Sequence, residues 1–534
     1  MLECLPAMAA TTNSRDPQGE ETPLTQSSGR HHGTGRDTGR IEGETTGSAL
    51  EFLFHPRSIA IVGTPSDPVM NQGAGVFLDS LIAFGYQGDV YPVNPKLSEI
   101  RGLKSYPSIM SLPHDPDYVI CCIPAALTPQ LVKDCGSRGV KAISIYTAGF
   151  SEASEQGREV EQELVGLAHQ GGIRLIGPNC MGLYCPSTRL SYSSLLSREP
   201  GSVGLLCQSG GISLALTIMG NFMGIRFSKV VSYGNAADLN EADFLEYLSH
   251  DDDTRTVGAY IEGVRDGPRF LRALTRLSRS KPVAVLKGGC TEAGAKATAS
   301  HTGSLAGDAR IWRGLCRQAG AMEVHSSEEM VDFFEACLRL KPPKGRRVGI
   351  IAWGGGPSVI TTDDCESAGL VVPTLGMETR KALKGFVSDP GSSLNNPIDS
   401  PVLANPALLS RVIETVAQSR EVDVLMIRLP FAVARPPFDL DVTNAILEAV
   451  IRISRSVDVP MAVVQPHGDT PESSGQFFVV HQRCMEASLP VFSTTRRAAG
   501  AISRFMQAAS RLDHRWMTGQ ETKAGSTGIP RGAQ

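Results

Sequence analysis

Apolar residues run along this chain in short unbroken stretches, each closed by glycine or a small polar residue and followed by a segment of helical periodicity. Three are the sharpest: Ser58-Ile59-Ala60-Ile61-Val62-Gly63, Val203-Gly204-Leu205-Leu206-Cys207-Gln208-Ser209-Gly210-Gly211, and Val348-Gly349-Ile350-Ile351-Ala352-Trp353-Gly354-Gly355-Gly356-Pro357. A strand that is apolar at successive positions is buried on both faces, as in a parallel sheet covered by helices on two sides. Similar runs follow each of the three. Val90–Val93, Tyr118–Ile123, Ala142–Tyr146 and Arg174–Ile176 belong with the first, and Lys229–Ser232, Val257–Ile261 and Val283–Lys287 with the second. Val424–Arg428 and Ala462–Gln465 belong with the third. The pattern predicts an α/β fold of three tandem doubly wound parallel-sheet domains.

Breaks in the pattern set the expected boundaries. Residues 1–45 are rich in Thr, Gly, Ser and charge without apolar periodicity, so they are expected to be a disordered tail, and 513–534 a second tail. Ser197-Arg198-Glu199-Pro200-Gly201 and Lys341-Pro342-Pro343-Lys344-Gly345 read as linkers. Domains are therefore expected at 46–195, 196–343 and 344–512.

Composition narrows the function classes. A net charge of −4 over 534 residues gives no concentrated basic surface, so nucleic acid is not an expected partner. No apolar run reaches the roughly 18 residues that suggest a membrane span, and Met1–Ala10 is too weakly apolar for a secretory signal. Twelve scattered cysteines without a CxxC pair indicate neither a disulfide framework nor a zinc ribbon, and no metal site is expected. Reduced thiols in the cytoplasm are the simplest reading.

The ends of the strands carry the candidate chemistry. Gly63, leading towards Asn71-Gln72-Gly73-Ala74-Gly75, has the look of a loop through which phosphate approaches, though it is not GxGxxG. An NAD site places an acidic residue at the end of the second strand; here the sequence is Val93-Asn94-Pro95-Lys96. A lysine suits a nucleotide phosphorylated on its ribose, so NADP or coenzyme A fits better than NAD. The competing reading is that Lys96 is a solvated loop charge. Pro124, Thr147 and Asn179 follow later strands of the same unit, at the edge where open α/β sheets bind ligands. Cys180 beside Asn179 reads as a packed thiol.

Among the eleven histidines, His301 stands out because its neighbours in Ser300-His301-Thr302-Gly303-Ser304-Leu305-Ala306-Gly307 are nearly all small. An imidazole on a small loop suits carrying a group between sites. Glu262 ends the strand Gly258–Ile261 in the same unit, and a carboxylate bonded to one ring nitrogen leaves the other free as nucleophile. Ser209, Gly210 and Gly211 open a helix whose N–H groups and dipole suit a phosphate. These glycines also serve an ordinary tight turn, and both readings stand at this level.

Taken together, Val93–Lys96, Ile176-Gly177-Pro178-Asn179-Cys180-Met181-Gly182, Gln208–Gly211, Tyr260-Ile261-Glu262-Gly263 and Ser300–Gly307 resemble a known family. It is that of the α subunits of NDP-forming acyl-CoA synthetases, typified by ADP-forming acetyl-CoA synthetase and more distantly by the α subunit of succinyl-CoA ligase. The resemblance implies a Rossmann-like coenzyme A-binding domain followed by two flavodoxin-like ligase domains. It implies reversible conversion of a small carboxylic acid, CoA and ATP into acyl-CoA, ADP and phosphate, through an acyl phosphate and a phosphohistidine. His301 matches the phosphorylated residue, Glu262 the carboxylate that steadies it, and Ser209–Gly211 the phosphate-holding turn. Gly63, Asn94, Lys96, Pro124, Thr147 and Asn179 fall where CoA is expected.

Two departures qualify the match. The family's ATP-grasp module, which holds ADP or ATP with Mg²⁺, has no counterpart before the chain ends, so a separate β subunit and a hetero-oligomer are expected. Trp353 also replaces the first residue of an Asn-Gly-Gly-Gly motif, while Asn396-Pro397-Ile398-Asp399 persists. The alternatives are a CoA- or acyl-CoA-binding regulatory protein without turnover, and a Rossmann oxidoreductase.

Overall fold

The computed structural model describes residues 49–64, 73–302, 308–387, 391–430, 440–466 and 471–512, excluding the side chains of 299–302, 440 and 471–474. Within them lie three sheets built mainly of parallel strands. The first contains β1 (Ser58–Val62) and β2 (Asp89–Val93); a small hairpin of β3 (Glu99–Ile100) and β4 (Leu103–Lys104) follows outside it. β5 (Tyr118–Cys121), β6 (Ala142–Ile145) and β7 (Arg174–Ile176) complete the sheet in the order β2-β1-β5-β6-β7, all parallel. The chain leaves β1 for one side and returns to the other, so the C-terminal edge opens between β1 and β5.

The second sheet holds β8 (Gly182–Tyr184), β9 (Val203–Cys207), β10 (Phe227–Ser232), β11 (Thr256–Ile261), β12 (Val283–Lys287) and β13 (Met322–Val324). Their order is β13-β12-β11-β9-β10-β8, with β8 antiparallel at the edge. β8 precedes the Pro/Gly segment near 195, yet Tyr184 pairs with Val230 and Gly182 with Ser232. The crossing from first to second sheet therefore falls earlier in the chain than the composition break. A three-residue strand has no periodicity to read, and its partner decides its allegiance.

The third sheet holds β14 (Val348–Ala352), β15 (Ser393–Leu394), β16 (Ile398–Asp399), β17 (Val424–Arg428), β18 (Met461–Val464) and β19 (Val491–Phe492). Its order is β15-β16-β14-β17-β18-β19, and β15 is antiparallel. Trp353, the first residue after β14, turns inward and is only 7% exposed, with Ile351 and Ile398 in the same core. Its indole N–H has no acceptor among the described residues. The side chain at this position thus belongs to the core, while Gly354 keeps the loop shape with φ +100° and an amide bonded to Asp399 Oδ1 at 2.7 Å.

One core runs from a face of the first sheet through the second and takes in the helix Thr495–Ala509. That helix packs beside Ser327–Arg339. Arg497 donates to both oxygens of Asp332 at 2.6 and 2.8 Å, and Arg504 to Glu329 at 2.7 Å. Glu335 lies fully enclosed in the same seam, in close contact with Arg339. Burial pushes its carboxyl up to about 7, and Arg339 and the Val491 amide offset only part of this. The native state therefore holds a proton that the unfolded chain releases near its ordinary value of 4.5. The contribution is complete below that value and lost as pH rises through about 7. Urea midpoints across this window should show Glu335→Gln losing less stability with rising pH than wild type, by on the order of 2–3 kcal/mol. Parallel pH curves would contradict this assignment.

Candidate active site

Gly63 follows β1 with φ +97°. A Cβ there would sit 2.9 Å from the Cys122 carbonyl oxygen and 3.0 Å from Ile123 Cγ2, so the approach of the β1 and β5 ends demands glycine. Asn94, just beyond β2, donates to the Thr64 carbonyl at 2.7 Å and accepts the Lys96 amide at 2.8 Å. Its carboxamide is thus occupied at both ends by backbone, which shapes the loop and leaves the exposed Lys96 side chain at the rim. Pro124 is exposed after β5. Thr147 Oγ1 donates to the Ile123 carbonyl at 2.7 Å, and its own carbonyl accepts the Asn179 amide at 3.0 Å. All six positions therefore lie on the C-terminal edge of one sheet. Asn71 and Gln72 lie outside the described residues.

β9 ends at Cys207 and the helix Gly210–Phe222 follows at once. Ser209 is its N-cap, its side chain accepting the Ile212 amide at 3.4 Å. At a helix start the amides of Gly210 and Gly211 have no intrahelical acceptor and carry the positive end of the dipole. A Cβ at Gly210 would meet Met181 Cγ at 2.9 Å, so Met181 presses against the turn.

Glu262 comes directly after β11 and is 5% exposed. Tyr260 Oη donates to its Oε1 at 3.1 Å, whereas Oε2 is buried without a partner among the described residues. Burial and the Glu262 carboxylate push the Tyr260 phenol well above its usual range, keeping it a donor. Gln208 joins turn and acid: its Oε1 accepts the Glu262 amide at 2.7 Å and the Gly263 amide at 3.0 Å.

These parts converge on a cleft of about 300 Å³ lined by Tyr146–Ala148 and Asn179–Met181 from the first sheet's edge. Gln208–Gly211 and Glu262 line it from the second. Of the positions expected to meet coenzyme A, Thr147 and Asn179 reach this cleft. Cys180 lines the cleft but is packed: burial pushes its thiol up to about 11, and Sγ lies 3.4 Å from both Ser144 Oγ and the Ile176 carbonyl.

Polar contacts tie the two edges together. Asn235, after β10, donates to Glu152 at 2.6 Å and Glu161 at 2.9 Å; Arg265 donates to Glu161 at 3.1 Å and to the Asn235 carbonyl at 2.8 Å. Glu152 in turn accepts the Gly149 amide at 2.6 Å, fixing the loop that starts at Thr147. Burial opposes its ionisation, but Asn235 and the amides of Gly149 and Phe150 outweigh it and hold the carboxyl below its usual range.

His301 falls in the last turn of the helix Glu292–Thr302, so its backbone is helical where a loop was expected. The alanine-rich run Ala293–Ala299 favours helix strongly enough to extend it that far. The His301 side chain and residues 303–307 lie outside the described residues. Gln208 and Tyr260 stand inside the quoted motifs but are given no site role by the sequence; what they bond to became legible only once β9 and β11 were paired. Among the described residues, no three His, Cys, Asp or Glu side chains group to hold a metal ion. Nor is any helix among them long and apolar enough to cross a membrane.

A family model described as a CoA binding domain matches residues 57–186, and one described as a succinyl-CoA ligase like flavodoxin domain matches 200–337. Fold and cleft thus define an α/β protein of the CoA-binding, succinyl-CoA-ligase-like class. The chain is 39% identical over 380 residues to the ADP-forming acetate–CoA ligase I of Archaeoglobus fulgidus, covering 71% of itself and 54% of that protein. It is 36% identical over 377 residues to the alpha subunit of ADP-forming acetate–CoA ligase II of Pyrococcus furiosus, covering 71% of itself and 81% of that subunit. The structure of Ca. Korarchaeum cryptofilum dinucleotide forming acetyl-coenzyme A synthetase 1, in complex with phosphate and ADP, aligns with TM-score 0.76 and 30% identity. That alignment covers 88% of this chain and 98% of the other. The chain belongs to the ADP-forming acetate–CoA ligase family, and spans about half the length of the Archaeoglobus relative.

Proposed function

We propose that this chain is the α subunit of an ADP-forming acyl-CoA synthetase, acting on a small carboxylic acid. Phosphate attacks the acyl-CoA carbonyl, giving acyl phosphate and free CoA. The His301 imidazole then takes the phosphoryl group and releases the carboxylate. ADP on an ATP-grasp partner subunit, with Mg²⁺, receives it as ATP, and every step runs in reverse for acid activation. Dividing one hard transfer into two displacements is covalent catalysis, and positioning supplies much of the acceleration.

The observation that carries this reading is the buried Glu262 Oε2, without a partner among the described residues, beside the cleft that the Ser209 turn and the Thr147 and Asn179 loops share. A buried carboxylate oxygen calls for a donor, and an imidazole N–H supplies one while fixing the ring's tautomer. Relatives named as alpha subunits support a partner subunit in a hetero-oligomer. Reduced thiols fit a cytoplasmic setting: the described cysteines are free, and all but Cys122 and Cys290 are buried.

The test needs only this chain. With acetyl-CoA and ³²P-labelled phosphate, label that is acid-labile, base-stable and mapped to His301 is the expected result. Absence of label in protein shown to bind CoA would overturn the reading and leave a CoA-binding regulatory protein. Lys96→Ala should weaken CoA binding about three- to tenfold, as expected for a lost charge-assisted contact at a solvated rim. Calorimetric titration checks this, and unchanged affinity removes Lys96 from the site.

A further inference from the structure

Behind the cleft lies a buried cation that the proposed chemistry does not use. Lys287 ends β12, which pairs in register with β11, and its side chain is buried at 8% exposure. The ammonium donates to the Glu262 carbonyl at 2.8 Å and makes a close contact with the Gly288 carbonyl, 5.8 Å from the centre of the Trp312 ring. Burial pulls its pKa down, and the Cys290 thiol and Glu262 counter this only in part. A buried cation is costly unless its donors are fully used. Here they bind the main chain at two strand ends.

Those strand ends are the ones that matter. A Cβ on Gly288 would lie 2.7 Å from Tyr260 Oη and 3.1 Å from Glu262 Cγ, so the carboxylate arm rests directly against this glycine. Cys290 Sγ donates to the Lys287 carbonyl at 3.2 Å, and the helix that carries His301 begins at Glu292. One ammonium therefore ties together the backbone of the acid and the glycine its arm rests on, while the lead-in to the histidine helix is held by the Cys290 thiol on the Lys287 carbonyl.

We propose that Lys287 is a positioning residue for phosphoryl transfer, holding Glu262 in place against Gly288. This rests on the phosphohistidine reading above. Lys287 touches no reacting atom; it acts through Glu262.

A double-mutant cycle with Lys287→Met and Glu262→Gln tests it, read as the rate of His301 labelling from acetyl-CoA and labelled phosphate. Lys287→Met should slow labelling at least about tenfold with CoA affinity within about twofold of wild type. The double variant should be no slower than Glu262→Gln alone, because the lysine has no other route to the reaction. Lys287→Arg, which keeps charge and donors, should recover most of the rate; a packing role alone predicts no such recovery. Wild-type labelling in Lys287→Met, or losses that multiply in the double variant, would overturn the proposal. Should Lys287→Met fail to fold, Lys287→Gln takes its place in the cycle with the same outcomes. An unlabelled wild-type chain with bound CoA would instead refute the phosphohistidine reading itself.

Discussion

His301→Ala should abolish phosphoryl transfer and leave CoA affinity within about twofold of wild type. In a double displacement the imidazole is the covalent carrier, and no neighbour substitutes for it, so the expected loss is about 10⁴-fold or more, the scale seen when a covalent nucleophile is removed. The proposed CoA contacts lie on other elements, the loops after β1, β2, β5, β6 and β7, all on the first sheet's edge. His301 belongs to the helix Glu292–Thr302, connected with the second sheet through β12. Stopped assays of labelled phosphate incorporation, paired with calorimetry on the same preparation, separate the two quantities. Turnover equal to wild type would end the phosphohistidine mechanism; a parallel collapse of CoA binding would show that the substitution damages the fold.

Glu262→Gln should slow phosphohistidine formation about 10²-fold without loss of stability, the scale of removing one preorganised electrostatic contact. The substitution keeps the shape of the side chain, so Tyr260 still has an oxygen to donate to, and the Gln208 bonds reach the Glu262 backbone amide rather than its carboxyl. What disappears is a negative charge whose second oxygen is buried and has no partner among the described residues. Such a charge costs folding energy until a partner arrives, so the thermal midpoint should stay level or rise. A catalytic loss joined to a neutral or positive stability change separates a functional carboxylate from a structural one. If Glu262→Gln melts several degrees lower and labels normally, the residue is a packing element and the site must be redrawn. Glu335 offers the contrast: it is also buried, its carboxyl is pushed up by burial, it sits far along the chain in the seam between the helices Ser327–Arg339 and Thr495–Ala509, and it does not line the cleft.

Much of this was legible before any strand was paired. Continuous apolar runs identified the principal strands to within a residue or two, because a strand covered on both faces leaves no polar position to interrupt it. Gly63 stands in the sequence as the close of a strand and the start of a phosphate-approach loop, and the structure adds a reason for glycine there, the approach of the Cys122 carbonyl. The Ser209 turn was legible as a helix start from its own capping chemistry. The hairpin of β3 and β4 and the short strands β8, β13, β15, β16 and β19 were not, since two or three residues carry no period. The extension of the Glu292–Thr302 helix through His301 was missed for another reason: small residues were read as loop, whereas alanine among them favours helix.

By itself, then, the sequence determined which chemical groups stand at the strand ends and the class of fold that presents them. Those properties follow from local rules: burial of successive side chains, the conformational needs of glycine, and the capping of a helix by the residue before it. Tertiary structure alone decided which groups meet. Gln208 bonds Glu262 across 54 positions, Lys287 reaches the Glu262 carbonyl across 25, and Asn235 joins Glu161 across 74. It also gave each end of the Asn94 carboxamide a backbone partner, and turned Trp353 into the core beside Ile351 and Ile398. Contacts across such separations depend on sheet order and register, which are settled when whole elements pack together and buried polar atoms find partners.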